Sequence, residues 1–285
     1  MMERLELSAE PEDAVMKPED ILTAVKLRRQ IGESITGKEI KCYDEVDSTN
    51  NEAKRLGENG APSGVLVTAE FQTAGKGRRG RFWVSQRGSG IWMSFLLRPK
   101  ILPAGASMLT LTAALAVVKG IKESCGLATQ IKWPNDIVSG GKKLCGILTE
   151  MSAEPEHIHY VVIGIGINAG QEEFPEELKK KATSLYLETG IGIDRSEVLA
   201  AVVHAMDEYY RIFLETGDLS RLKAEYEKHL VNLGQEVVVT AASGDDRGVC
   251  LGIDKTGELL LQMEDKTIKR IVSGEVSVRG IYGYV

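Results

Sequence analysis

The chain is poor in cysteine: Cys42, Cys125, Cys145 and Cys250 are its only four in 285 residues, and they are scattered. No CxxC or Cys/His spacing suggests zinc, and buried, reduced thiols are the expectation. No uninterrupted run of about 18 apolar residues occurs, so no transmembrane helix and no membrane partner are expected. The first residues are acidic and lack the basic-then-apolar order of a signal peptide, which points to a cytoplasmic protein. A phosphate loop of the GxxxxGK type, a GxSxG elbow and a Cys/His nucleophile signature are also missing. Gly164-x-Gly166 lacks the continuation of a dinucleotide fingerprint. Positive charge is in the minority, with 35 Lys+Arg against 41 Asp+Glu. That balance counts against nucleic acid as the main partner.

What is present is an ordinary globular composition, 43% hydrophobic and 27% charged, long enough for one large or two unequal domains. Residues 1–17 are polar and irregular. KPEDILTAVKLRRQI reads as a short amphipathic helix with Pro18 in its first turn. Segments 64–71, 90–98, 144–151 and 157–168 read as strands, and 106–126 and 195–217 as helices that stop at glycine. After about residue 234, strands of four to six residues alternate with Gly-Asp, Lys-Thr-Gly and Glu-Asp-Lys turns. Such spacing predicts a small antiparallel β-barrel or sandwich, with a boundary near residue 233 after the RLKAEYEKHLVN helix.

Four stretches carry chemistry. In QTAGKGRRGRFW (72–83), Lys76, Arg78, Arg79 and Arg81 alternate with glycines in an otherwise acidic chain. Glycine-rich backbone N–H groups and arginine forks suit a small phosphate compound. A solvated surface loop is the alternative. Phe82 and Trp83 are expected to anchor the loop in a core. In DSTNNEAK, Thr49 and Glu52 fit a capping box, while Ser48, Thr49 and Asn50 offer more donors and acceptors than a cap uses. They suit a small polar ring such as a ureido or amide group. In KWPNDIVSGGKKLCGILTEM, Asn135 and Asp136 precede a glycine turn that sets Lys142 or Lys143 beside the next strand. An Asp near a Lys suits Mg–phosphate work or neutralisation of a carboxylate, and a plain hairpin with an exposed Lys is the alternative. In VVIGIGINAG, the glycines let a ligand or another backbone approach the strand closely.

In this order and at these distances the four stretches resemble the biotin protein ligases, also called biotin–[acetyl-CoA-carboxylase] ligases, over roughly residues 38–285. The resemblance implies an α/β catalytic domain (38–233), related in fold to class II aminoacyl-tRNA synthetases. It also implies an SH3-like C-terminal domain (234–285), with 1–37 as an N-terminal extension. It implies that biotin and ATP form biotinyl-5′-adenylate and that biotin then passes to one lysine of a carrier domain in a biotin-dependent carboxylase.

By the same resemblance Ser48, Thr49, Asn50 and Gln72 line the biotin head-group pocket, and Gly164 and Gly166 lie against ligand. Lys76, Gly77 and Arg78 cover biotin and the adenylate phosphate. Lys76 stands where many members carry Arg, so the charge is kept and the bidentate fork is lost. Lys143 meets the biotin carboxylate and the α-phosphate. Arg78, Arg79, Arg81, Trp83, Asn135, Asp136, Asn168 and Arg279 fall on the nucleotide side, with Asp136 toward Mg²⁺; Lys143, Arg78 and Asp136 are the catalytic set.

Many members carry an N-terminal winged helix-turn-helix. Only about 37 residues precede the catalytic domain here, so no DNA binding is expected of this chain. A homodimer is implied, through an edge that involves the VVIGIGIN region. A lipoate or octanoate ligase of the same fold, or a biotin-binding sensor without turnover, are the competing readings.

Overall fold

The computed structural model describes residues 21–241, 244–273 and 277–280, with backbone alone at 277, 279 and 280. The first element is helix α1 (Ala24–Ile31). Its N-cap is Thr23, whose hydroxyl accepts the Lys26 N–H at 3.2 Å. The helix therefore starts at a side-chain cap and not at Pro18, which lies outside the described residues.

A seven-stranded sheet follows, built from β1 (Glu39–Val46), β2 (Val65–Gln72), β3 (Gly90–Leu97), β4 (Gln130–Lys132), β5 (Asp136–Ser139), β6 (Lys142–Glu154) and β7 (His157–Asn168). Their order is β1-β2-β3-β7-β6-β5-β4; β1 and β2 are parallel and every other pair is antiparallel. Helix α2 (Thr49–Glu58) and the long helix α3 (Ala106–Cys125) are threaded between these strands. Then come α4 (Leu185–Thr189), α5 (Arg195–Thr216) and α6 (Lys223–His229).

Strand parity decides what each face meets. In β3, Ile91, Met93, Phe95 and Leu97 join the main core under α1, α3 and α5. The alternate residue Leu96 joins Val65, Val67, Tyr160, Val162 and Ala53 in a second cluster beneath α2. All eight residues of β3 are buried because both of its faces are covered. With its leading turn, α3 (Pro103–Cys125) has the length and apolar composition of a bilayer span, yet 78% of its apolar window is buried inside the fold. It is a core helix.

A second sheet is formed by β8 (Glu236–Ala241), β9 (Gly244–Ile253), β10 (Leu259–Gln262), β11 (Ile268–Ile271) and β12 (Ser277–Gly280). It is antiparallel throughout, in the order β11-β10-β9-β8-β12. Its apolar residues Val237, Cys250, Leu259 and Leu261 belong to the same continuous core as the first sheet. Trp133 Nε1 donates to Gly257 O at 3.0 Å, and Ile253 N–H donates to Glu227 of α6 at 3.0 Å. The two sheets are thus joined by packing and by hydrogen bonds.

Cys145 and Cys250 are buried, whereas Cys42 and Cys125 are only half-buried. Burial raises the thiol pKa at all four positions, at Cys42 to about 11. At pH 8 iodoacetamide should therefore label the native protein far more slowly than the urea-unfolded chain. Intact-mass analysis reads this directly, and rapid native labelling at Cys145 would contradict the packing.

Candidate active site

The face of the sheet beneath α2 is cleared by glycine. Gly146 of β6 lies opposite Gly166 of β7, which lies opposite Trp92 of β3. One row further, Leu148 faces Gly164, and Gly164 faces Ser94. A Cβ at Gly164 would meet Asn50 Oδ1 at 2.0 Å, and one at Gly146 would meet the Trp83 ring at 2.8 Å. The missing side chains leave a cleft on this face, lined by polar and basic residues.

At the head end of the cleft, Ser48 is the N-cap residue of α2 but makes no side-chain cap bond. The expected capping box is absent. Glu52 instead accepts from the Tyr43 hydroxyl and from Arg55. The Thr49 N–H and Thr49 hydroxyl both point to Gln72 Oε1, at 2.9 and 3.2 Å. The cap is supplied across space from β2, which frees Ser48 to line the cleft. Because Gln72 Oε1 is occupied, its amide nitrogen is what remains for a ligand. Asn50 Nδ2 donates to Leu148 O and Glu150, so Asn50 offers its oxygen.

The basic loop folds as a small hairpin. Gly77 N–H donates to Arg81 O at 2.8 Å, and Trp83 N–H to Gly75 O at 2.9 Å. Lys76 Nζ donates to Asn51 Oδ1 at 2.7 Å. Arg78 reaches over the cleft to Asn135 Oδ1 at 2.9 Å and to Ser273 O, in the second sheet's β11–β12 connection, at 2.6 Å. Burial lowers the Arg78 pKa, and the charge of Asp136 opposes that shift. Trp83 lies over Gly166 and meets Trp92 edge-on, with ring centroids 6.1 Å apart. Phe82 does not anchor the loop; it is 85% exposed. Strand-like alternation turns its neighbour Trp83 inward and sends Phe82 out.

At the tail end, Gly140 (φ 53) and Gly141 (φ 75) make the two-residue turn between β5 and β6. Both central positions need the left-handed region that glycine enters freely. A register shift follows, from Ile137 opposite Cys145 to Val138 opposite Lys143. It lets Leu144 and Cys145 both join the core while Lys143 and Gly146 both line the cleft. Lys143 Nζ lies 2.6 Å from Asp136 Oδ1 and 5.3 Å from the Trp83 ring centre.

The cleft thus gathers Ser48, Thr49, Asn50, Gln72, Lys76, Gly77, Arg78, Trp83, Asn135, Lys143, Gly164 and Gly166. It does not gather every residue read from the sequence. Arg79 and Arg81 are exposed on the loop's outer side. Asn168 is buried, and its Nδ2 donates to Thr183 O at 2.9 Å instead of facing the cleft. Arg279 pairs through its backbone with Val238, and its side chain lies outside the described residues. Asp136 stands behind Lys143 and not in the cleft wall. Gly146, Leu148 and Ser94 were missed. Ser94 is a lone polar residue inside the apolar run IWMSFLL, and that oddity was the available signal.

The fold and this cleft define a chain of the biotin and lipoate ligase class. The family model described as "Biotin/lipoate A/B protein ligase family" matches residues 43–168, and that described as "Biotin protein ligase C terminal domain" matches 233–279. The chain is 41% identical over 259 residues to the bifunctional ligase/repressor BirA of Bacillus subtilis, covering 90% of this chain and 79% of that one. It is 33% identical over 245 residues to the biotin–[acetyl-CoA-carboxylase] ligase of Mycobacterium tuberculosis, covering 84% and 88%. A biotin protein ligase from Aquifex aeolicus, solved in complex with biotin and ATP, superposes with a TM-score of 0.76 at 37% identity, covering 85% of this chain and 99% of that one. The chain belongs to the biotin protein ligase family.

Proposed function

We infer that this chain is an ATP-dependent biotin protein ligase. The observation that carries the reading is the polarity of the cleft: an acceptor from Asn50 and donors from Gln72 at one end, Lys143 and Arg78 at the other. A cyclic urea has one carbonyl and two N–H groups, and its valerate tail ends in a carboxylate. The ring suits the Ser48–Asn50 end, and the carboxylate suits Lys143.

The biotin carboxylate attacks the α-phosphate of ATP, pyrophosphate leaves, and biotinyl-5′-adenylate forms. Two anions meet in that step, so the protein's contribution is positional and electrostatic. Lys143 neutralises the carboxylate and α-phosphate oxygens, and Arg78 holds the phosphate from the loop side. Trp83 and the hairpin cover the mixed anhydride and exclude water. A lysine amine of the carrier domain then attacks the acyl carbon, and AMP departs.

Among the described residues no group of three His, Cys, Asp or Glu could hold a metal. Mg²⁺ of this reading would arrive with ATP and be held by its phosphates and water, because Asp136, the carboxylate read from the sequence for it, is paired with Lys143 behind the cleft wall. It would supply charge neutralisation at the phosphates. Beyond Gly146, β6 has no strand partner on its β5 side among the described residues. This open edge beside the cleft suits strand addition by the carrier; the VVIGIGIN strand β7, read from the sequence as part of a dimer edge, is paired on both sides by β3 and β6, so a homodimer that competes with carrier docking would use β6.

Biotin-dependent ATP–pyrophosphate exchange tests the reading, with lipoate and octanoate run beside it. Exchange with biotin alone is expected. Exchange with lipoate or octanoate but not with biotin would overturn the reading in favour of a related acid ligase. Biotin binding without exchange would leave a sensor.

A further inference from the structure

Behind the head end of the cleft stands a residue pair that the reaction above does not use. Glu150 lies on β6, two positions beyond Leu148 and on the same face. Its Oε2 accepts from Asn50 Nδ2 at 2.8 Å, and its Oε1 accepts from Lys54 Nζ at 2.7 Å. Asn50 and Lys54 are four residues apart on α2, so helix geometry delivers both to one carboxylate. Burial pushes the Glu150 pKa up, but the hydrogen bonds from Lys54 and Asn50 and the charges of Lys54 and Lys76 outweigh it, and the carboxyl is held below its ordinary value. The other Asn50 amide proton goes to Leu148 O at 3.3 Å.

A carboxylate and a carbonyl can only accept. The Asn50 nitrogen is therefore turned toward β6, and its oxygen toward Gly164 and the fully buried Ser94, whose Oγ lies 2.7 Å away. Thr49 Oγ1 lies 2.8 Å from Ser94 Oγ; with the Ser94 proton given to Asn50, the Thr49 hydroxyl donates to Ser94, and the Thr49 N–H donates to Gln72 Oε1. One chain of hydrogen bonds thus runs from Lys54 to Gln72.

We propose that Glu150, braced by Lys54, is a positioning residue that fixes the Asn50 amide so that it presents only an acceptor to a ligand N–H. The ligand's identity rests on the ligase reading. An amide at position 150 could also donate to an Asn50 oxygen turned toward it, and only the longer bond to Leu148 O, at 3.3 Å, would then oppose the flip. Asn50 would meet a ureido N–H with its own N–H, and the bond would be lost.

The experiment measures biotin binding by calorimetry, and KM for biotin and for ATP in pyrophosphate exchange. Glu150→Gln should weaken biotin binding by up to about tenfold, the scale of one neutral hydrogen bond. Lys54→Met, on a helix face 27% exposed, should weaken it less, and Lys54→Arg should recover most of the loss. KM for ATP, and the exchange rate at saturating biotin, should stay within about twofold of the parent, because the chain touches only the head group. Unchanged biotin affinity in folded Glu150→Gln and Lys54→Met would overturn the proposal. So would a fall in exchange rate with no change in biotin KM. The binding arm decides the matter even if the parent protein shows no exchange; that result would strike the catalytic reading alone. A parent protein that binds no biotin would overturn both.

Discussion

Replacing Lys143 with alanine should lower biotin-dependent ATP–pyrophosphate exchange about 100- to 1,000-fold, the usual loss when one preorganised group facing developing charge is removed. Lys143 is held where it is by three features: the glycine turn before it, Asp136 at 2.6 Å and the face of Trp83 at 5.3 Å. Its stem runs past Gly146, where a Cβ would stand 3.1 Å from Nζ. The ammonium therefore arrives without a search through rotamers. The loss should fall mainly on the rate at saturating substrate, because the charge it meets grows in the transition state. A decrease of less than about tenfold would assign that charge to Arg78 instead.

Gly164→Ala should weaken biotin binding about 100-fold, since its methyl both displaces Asn50 with its ligand hydrogen bond and fills part of the cleft floor. The new methyl would lie 2.0 Å from Asn50 Oδ1 and 2.7 Å from its Cγ. Asn50 is tied on both sides, to Glu150 and to Ser94, so it cannot yield cheaply. The overpacking should also lower stability by about 1–3 kcal/mol. Thermal melting would register this as a shift of about 2–4 °C for each kcal/mol. Gly170→Ala is the control, because its methyl would stand at an ordinary 3.5 Å from Ser89 O. Equal biotin affinity in the two variants would show that the floor of the cleft tolerates a side chain.

Much of this was legible in the residue order. Glycine followed by β-branched or aromatic runs marked β2 and β3, and the Gly-Gly before Lys142 marked the β5–β6 turn. The alternation in VVIGIGIN announced a strand stripped on one face. What stayed hidden depends on pairing across the sheet. Nothing local sets Gly146 opposite Gly166, or Ser94 opposite Gly164; strand register does. The same holds for Thr49, whose sequence matches a capping box while its N–H is satisfied by Gln72, 23 residues away. Asn168 misled for the opposite reason: it follows the glycine strand directly, yet its side chain serves the backbone at Thr183. Local pattern found the elements and most of the polar residues, but which residues share a face is a property of the assembled sheet.

The hydrogen bond from Arg78 to Ser273 joins residues 195 positions apart. A ribosome makes the loop long before it makes the acceptor, and domains fold from the N-terminus as they emerge. The nascent catalytic sheet can form its cleft, but the clamp on the loop is added only after residue 273 has been synthesised. The loop's clamp thus waits on the second sheet, which is made last of the two.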